Sequence, residues 1–547
     1  MNPFLRLLSC FLPAMVFIAC HQPQTTDLLL IHGKIYTVDS AFTQAQALAV
    51  KDGKIVAVGS DADIQRDYTA KETVDLAGKA VYPGLIDAHG HFVEYGQSLF
   101  TALLYGSASF EEVAQRVKKF ADAHPGLAWI QGFGWDQNKF PGKAFPDNTL
   151  LNQLFPTTPV ALVRVDGHAM IVNAKALELA GVHPGQTLVG GTVETKGGKL
   201  TGILVDNAQG LVRRIIPEMT ATDFREQMDS AQRRCFAQGL TTVTVPGLGR
   251  REVEGLDSLQ KAGVLKMRLY VMLRDRPEVL DYYLPKGPYK TDLLYVKGVK
   301  AYADGALGSR GACLLAPYDD RPGWQGFLLS PVAHFDSLAA RLIGTDWQLC
   351  THAIGDSGNR MILTVYNKYL KGKNDKRWRV EHAQVVNDAD FDLFGKASIL
   401  PSVQPTHATS DMYWAGERLG PVRIKGAYAY KRLLRENGWL PLGTDFPVED
   451  ISPFKTFLAA VFRVDAKGYP AGGFQMQDAL TREEAIRGMT IWAAKADCLE
   501  KEIGSLEVGK KADLVILDRD LMTVGQGDVL QTGVVATYAG GKKVYGK

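Results

Sequence analysis

The chain has 547 residues, too many for one ordinary hydrophobic core, so two or three domains are expected. A hydrophobic content of 46% with 22% charged residues excludes a disordered or fibrous polymer. Basic and acidic residues nearly cancel (62 against 59, net +3), and no basic tract or aromatic-interleaved patch offers support for nucleic-acid binding.

The first residues differ from the rest. Arg6 precedes the apolar stretch Leu7 to Ile18, which is followed by Ala19 and Cys20. A positive start, a short apolar segment and a small residue before a cut predict a secretory signal peptide over residues 1–20. The stretch is shorter than the roughly 20 apolar residues a membrane span needs, and Pro13 interrupts it. Cys20 after Ala19 resembles a bacterial lipobox, with Phe17 where leucine is usual. The expectation is an exported bacterial protein, periplasmic or anchored to a membrane only through lipid on Cys20; plain secretion and an uncleaved anchor are the alternatives. Cys235, Cys313, Cys350 and Cys498 are scattered without a CxxC, which suggests buried small side chains and not a zinc ribbon or disulfide framework.

Short β-patterned runs follow, from Asp27 to Val38, Ala45 to Val50, Lys54 to Val58 and Thr73 to Leu76, with an Asp52-Gly53 hairpin signal. The same texture returns at Ala512 to Leu517 and Gly533 to Tyr545. Residues 27–80 plus 504–547 are therefore expected to form one small β-sandwich from both ends of the chain.

Between them, strand-like runs alternate with helical patterns, the mark of βα units and a parallel sheet. Eight runs qualify: those ending at His89, Val245, Met272, Lys300, His352, His382, Gln404 and Asp445. Eight is the number a (β/α)8 TIM-type barrel needs, so residues 81–503 are read as an α/β barrel. A doubly wound open sheet is the alternative, but no Gly-rich nucleotide fingerprint follows a strand. The stretch from about 96 to 230 exceeds one crossover and predicts an inserted subdomain.

The chemistry lies at the strand ends. In the run Val81-Tyr-Pro-Gly-Leu-Ile-Asp-Ala-His-Gly-His91, two imidazoles at alternate positions would face one way if the run is a strand. Lys300, His352, His382 and Asp445 each end a further run, with Gln404 and nearby His407 as companions. C-terminal strand ends of a barrel converge on one mouth, and imidazole with carboxylate suits zinc and similar divalent ions. Singly, each residue has a structural alternative; their order and convergence favour a metal site.

With those residues in place, the chain resembles the amidohydrolase superfamily, closely its YtcJ-like branch, amidohydrolase family 3, which includes N-substituted formamide deformylase. The resemblance rests on Pro83-Gly-Leu-Ile-Asp-Ala-His-Gly-His91, Asp166-Gly-His168, the segment Lys300 to Ala312, His352-Ala-Ile-Gly-Asp356, Glu381-His-Ala-Gln384, Ser402-Val-Gln-Pro405, Gly443-Thr-Asp-Phe-Pro-Val448 and the closing segment Gly504 to Val515. It implies that His89, His91 and Asp445 bind one metal, that His352 and His382 hold a second, and that Lys300 is carboxylated and bridges the two. It also implies a metal-activated hydroxide and Asp445 as general base and acid. One zinc or other divalent ion held by the histidines and Asp445 is the competing arrangement.

His168, in the expected insertion, is implied to contact the substrate. Asp304 and Arg310 are candidates for binding a polar substrate group or for bracing the loop after Lys300, and Trp135 and Asp136 for the entrance. Gly504 to Lys511 imitates a phosphate loop but has Lys511 where Ser or Thr is required, and a β-run follows it. His-Glu-x-x-His and Gly-x-Ser-x-Gly are absent. The expected activity is metal-dependent hydrolysis of a C–N bond in a small amide, N-acyl or N-formyl substrate. Cyclic amides or other carbonyl-centred bonds, and a non-catalytic lipid-anchored binding protein on the same scaffold, are the alternatives.

Overall fold

The computed structural model describes residues 22–546. The leader expected over residues 1–20 and the cysteine proposed for lipidation lie outside the described residues. Among the described residues no helix is long and apolar enough to cross a membrane.

Seven strands form a parallel sheet in chain order: Leu85–Asp87, Leu240–Leu248, Arg268–Arg274, Leu294–Tyr302, Gln348–Ala353, Arg379–His382 and Leu400–Ser402. Every neighbouring pair is parallel. The strand Leu240–Leu248 is buried along its whole length, as a strand covered on both faces must be.

The eighth expected strand, 440–445, is irregular yet closes the ring. Gly443 N–H donates to the Val403 carbonyl at 3.0 Å, and Ala88 N–H donates to Leu442 at 3.2 Å. Asp445 N–H then donates to the His89 carbonyl at 2.7 Å. Pro441 has no N–H to give a ladder and Gly443 has no side chain to pack, so the segment makes bridges and not a regular strand.

The insertion carries its own six-stranded sheet, from Ala102–Leu103 to Lys199–Asp206, packed on clusters that include Trp135, Leu162 and Ile171. Both ends of the chain build the remaining domain. A four-stranded sheet (Gln24–Ile31, Ala47–Lys51, Lys54–Gly59, Tyr68–Asp75) faces a six-stranded one that joins Lys34–Tyr36, Gln44–Ala45 and Ala80–Pro83 to Leu514–Leu517, Val534–Ala539 and Lys542–Gly546. Leu28, Leu30, Ile35, Val50, Leu514 and Ile516 fill the space between them. Asp52 and Gly53 both adopt left-handed φ, 51° and 75°, the turn that matches strand twist.

One apolar run serves two domains. Residues 80–83 pair with Leu514–Leu517 in the sandwich, whereas 85–87 pair with the barrel strand Leu240–Leu248. Gly84 is the crossover, and a Cβ there would collide with the Thr241 side chain. The strand before His89 is therefore shorter than the run that contains it.

Candidate metal centre

His89 and His91 lie just beyond the strand Leu85–Asp87, not on it as expected. Asp87 makes the turn: its Oδ1 accepts the N–H groups of His89 and Thr444, each at 3.0 Å, and its Oδ2 accepts the Thr444 hydroxyl at 2.6 Å. This ties the first strand to the closing segment. Burial pushes the Asp87 carboxyl up to about 7. His91 then begins the helix Phe92–Ser98, and the two imidazole rings stand 5.6 Å apart.

Asp445 reaches this pair from the closing segment, in the left-handed region at φ 65°. Its Oδ1 is 3.6 Å from His89 Nε2 and 3.2 Å from His91 Nε2. That oxygen is buried and accepts no hydrogen bond. The ligand atoms of His89, His91 and Asp445 lie within 4.8 Å of one another. A buried acceptor left open between two ring nitrogens fits a divalent cation.

The remaining candidates gather on the same point. Lys300, buried in the strand Leu294–Tyr302, places Nζ 3.4 Å from His89 Nε2. The rings of His352 and His382 are 4.6 Å apart, and His382 lies 4.9 Å from His89. His382 ends its strand at φ 73°. Neighbours on a strand normally face opposite ways, and this backbone turn lets both Glu381 and His382 approach His89.

Two of the rings are oriented from behind. His89 Nδ1 is 2.5 Å from Glu381 Oε2, and His382 Nδ1 is 2.8 Å from Gln404 Oε1. Such partners fix the tautomer and leave Nε2 as the ligand atom. His407, on the helix Pro405–Asp411, bridges Asp445 Oδ2 at 3.3 Å and Glu449 Oε1 at 3.2 Å. With His382 and Asp445 it forms a second buried group of ligand atoms within 4.8 Å. Glu381 and Glu449 were not singled out in the sequence. Glu381 lies inside the Glu381-His-Ala-Gln384 motif, where its adjacency to a candidate ligand was the available signal; Glu449, just after Val448, had none.

The electrostatics favour neutral imidazoles at His89, His352 and His382, whereas at His91 the Asp445 carboxylate outweighs burial and raises the ring above its ordinary value. Burial, aided by the Lys300 charge, lowers His89 to about 4. Burial also holds His352 and His382 well below the ordinary range. Burial lowers Lys300 as well, toward the amine that a carbamate requires. Burial alone would raise the Asp445 carboxyl, but the His407 hydrogen bond and the neighbouring His91 imidazole keep it well below its usual value. His407 goes the other way: Asp445 and Glu449 outweigh burial and push it up to about 10.

Four other candidates resolve differently. Asp304 is fully buried, and its carboxylate accepts N–H groups of Cys313, Ile354 and Gly355 at 2.8–2.9 Å. Three amides leave it bracing the loops after two strands, the second of the two roles expected for it. Arg310 forks onto Asp320 at 2.8 and 3.3 Å and also braces. Trp135 has no exposure, and its Nε1–H donates to Leu162 at 2.8 Å inside the insertion, so it does not line an entrance. Asp136 Oδ1 is taken by Arg164 at 2.5 Å and by Asn138 N–H at 3.1 Å. His168 does approach the centre, with its ring 5.1 Å from that of His352.

Residues 72–545 match the amidohydrolase family. The chain is 34% identical over 540 residues to Protein LONG AFTER FAR-RED 3 of Arabidopsis thaliana, covering 95% of this chain and 91% of that one. It is 25% identical over 546 residues to N-substituted formamide deformylase of Arthrobacter pascens, covering 95% and 98%. A crystal structure of an uncharacterized metal-dependent hydrolase from Pyrococcus horikoshii OT3 superposes with a TM-score of 0.75 at 30% identity, over 91% of this chain and 99% of that one. A match over residues 72–545, most of the chain, makes this chain a member of the amidohydrolase family.

Proposed function

We propose that this chain is a metal-dependent hydrolase that cleaves the C–N bond of a small amide, N-acyl amine or N-formyl amine. The observation that carries the reading is the open, buried Oδ1 of Asp445 between His89 Nε2 and His91 Nε2. Nothing in packing requires two imidazoles to surround an unpaired carboxylate oxygen. His89, His91 and Asp445 would hold one cation. Lys300, as a carbamate, would join His352 and His382 in holding a second.

Bound there, a divalent ion such as zinc supplies Lewis acidity and water of lowered pKa. The chain's own residues do the rest. Glu381 and Gln404 orient the rings of His89 and His382. Asp445, kept ionised and clamped through Oδ2 by His407, is the group placed to take a proton from water and return it to the leaving nitrogen. Buried surroundings exclude bulk water from these transfers.

The C–N assignment draws on likeness to the formamide deformylase, and the metal dependence on family membership. A second reading, a binding or regulatory protein on the same scaffold, draws on the plant relative, whose name states no reaction. Metal analysis of the purified protein reconstituted with Zn²⁺ or Mn²⁺, followed by hydrolysis assays on N-formyl, N-acyl and cyclic amides, separates the two. Stoichiometric metal with amine release supports the hydrolase. No metal uptake defeats it, and metal without turnover of any amide selects the binding protein.

A further inference from the structure

Asp206 and the turn Asp166-Gly-His168 meet beside the centre, and no step above uses Asp206. His168 Nδ1 lies 2.5 Å from Asp206 Oδ1, and Asp206 N–H donates to the His168 carbonyl at 2.8 Å. The His168 N–H donates to Asp166 Oδ1 at 3.0 Å, and Asp166 in turn pairs with the buried Arg164 at 2.5 Å. The imidazole is thus fixed through its ring, its amide and its carbonyl.

Asp206 is an improbable residue for packing alone. Its backbone sits at φ 50°, ψ −121°, a region that side chains rarely adopt. Its side chain has no exposure, and Oδ2 is buried without a hydrogen-bond partner. The carboxylate occupies space beside Gly305 and Gly311, in the segment that follows Lys300. A Cβ at Gly305 would come within 2.5 Å of Oδ2, and one at Gly311 would also collide. Strain, an open acceptor and two accommodating glycines all serve one carboxylate.

That carboxylate holds a ring over the mouth. His168 is 16% exposed, packs against His352, and its Nε2 makes no protein hydrogen bond among the described residues. We propose that Asp206 is a positioning residue that holds His168 so that its Nε2 hydrogen-bonds the carbonyl oxygen of the bound substrate on the His352 side of the mouth. This rests on the hydrolase reading and extends it: the ligand class is a compound with a carbonyl oxygen beside nitrogen. A site with a prepositioned polar contact rejects ligands unable to use it.

The probe is acetohydroxamate, a small carbonyl–nitrogen ligand, titrated by calorimetry into the metal-loaded protein and into Asp206→Ala, His168→Ala and the double variant. Each single variant should weaken binding about tenfold, the loss of one hydrogen bond. The double variant should also lose about tenfold, because the pair acts as one unit. Metal per chain should match wild type in all three. Unchanged affinity, losses that multiply in the double variant, or a parallel loss of metal overturns the proposal. If Asp206→Ala does not fold, Asp206→Asn takes its place under the same criteria. A wild-type chain that takes up no divalent metal defeats the hydrolase reading itself; retained metal with unaltered hydroxamate affinity in the variants defeats only the pairing.

Discussion

The Glu381 carboxylate and the His89 imidazole are 2.5 Å apart, with neither side chain exposed. Glu381 thereby fixes which His89 nitrogen faces Lys300 and Asp445. Glu381→Gln should weaken metal binding about 10–100-fold, the usual effect of losing such a partner. Competition against a chromophoric chelator measures this, and an unchanged affinity would remove Glu381 from the centre.

Asp445 is assigned two tasks, ligand and proton carrier. Asparagine keeps a ligating oxygen but cannot take the proton. Asp445→Asn should therefore lower kcat about 10²–10⁴-fold on any amide the wild type hydrolyses, with KM moving much less. Wild-type turnover in this variant would assign the proton to another group.

Lys300 tests the bridge. An ammonium 3.4 Å from a ligand nitrogen would repel a cation, whereas a carbamate supplies anionic oxygen. Lys300→Ala should lose one equivalent of metal and most activity, with partial recovery in millimolar propionate. Full metal content and full activity would eliminate the carbamate.

Much of this site could be read in the sequence because a parallel barrel brings strand ends together. His89, His91, Lys300, His352, His382 and Asp445 each follow or end an apolar run, so topology alone predicts that they meet. Roles set by distant backbone could not be read. Substrate contact and loop bracing stay open for Asp304 in the sequence because the three amides that claim it come from residues 313, 354 and 355. Asp206 lay at the end of a strand in an insertion whose pairing with His168 only the folded sheet displays. The segment ending at Asp445 has the composition of a strand but only part of its ladder, because Pro441 and Gly443 give little to either neighbour.

The barrel also offers a stability test away from the mouth. Arg379 and Asp497 are both fully buried, with Arg379 Nη2 donating to Asp497 Oδ1 at 2.7 Å. Asp497→Ala leaves a guanidinium in the interior without its carboxylate, which costs about 3–5 kcal/mol. Chemical denaturation of the metal-loaded protein checks this. A loss below about 1 kcal/mol would mean that water or a rearranged neighbour replaces the pair.

Export with lipid on Cys20 is proposed from the leader sequence. Cells expressing the full chain with labelled palmitate should yield a labelled membrane-bound protein, and Cys20→Ala should be unlabelled and leave the membrane fraction. Equal labelling of both would place any lipid elsewhere.

The run that crosses at Gly84 has a consequence for how the protein comes into being. Its first half pairs with Leu514–Leu517, and its second half leads straight into His89 and His91. The strand that delivers the first two metal ligands is thus anchored by residues that follow the whole barrel in the chain. A chain still leaving the ribosome has most of its barrel but not that anchor. Contacts between segments so far apart form slowly. The strand leading into His89 and His91 therefore gains its sandwich partner only once Leu514–Leu517 has been made.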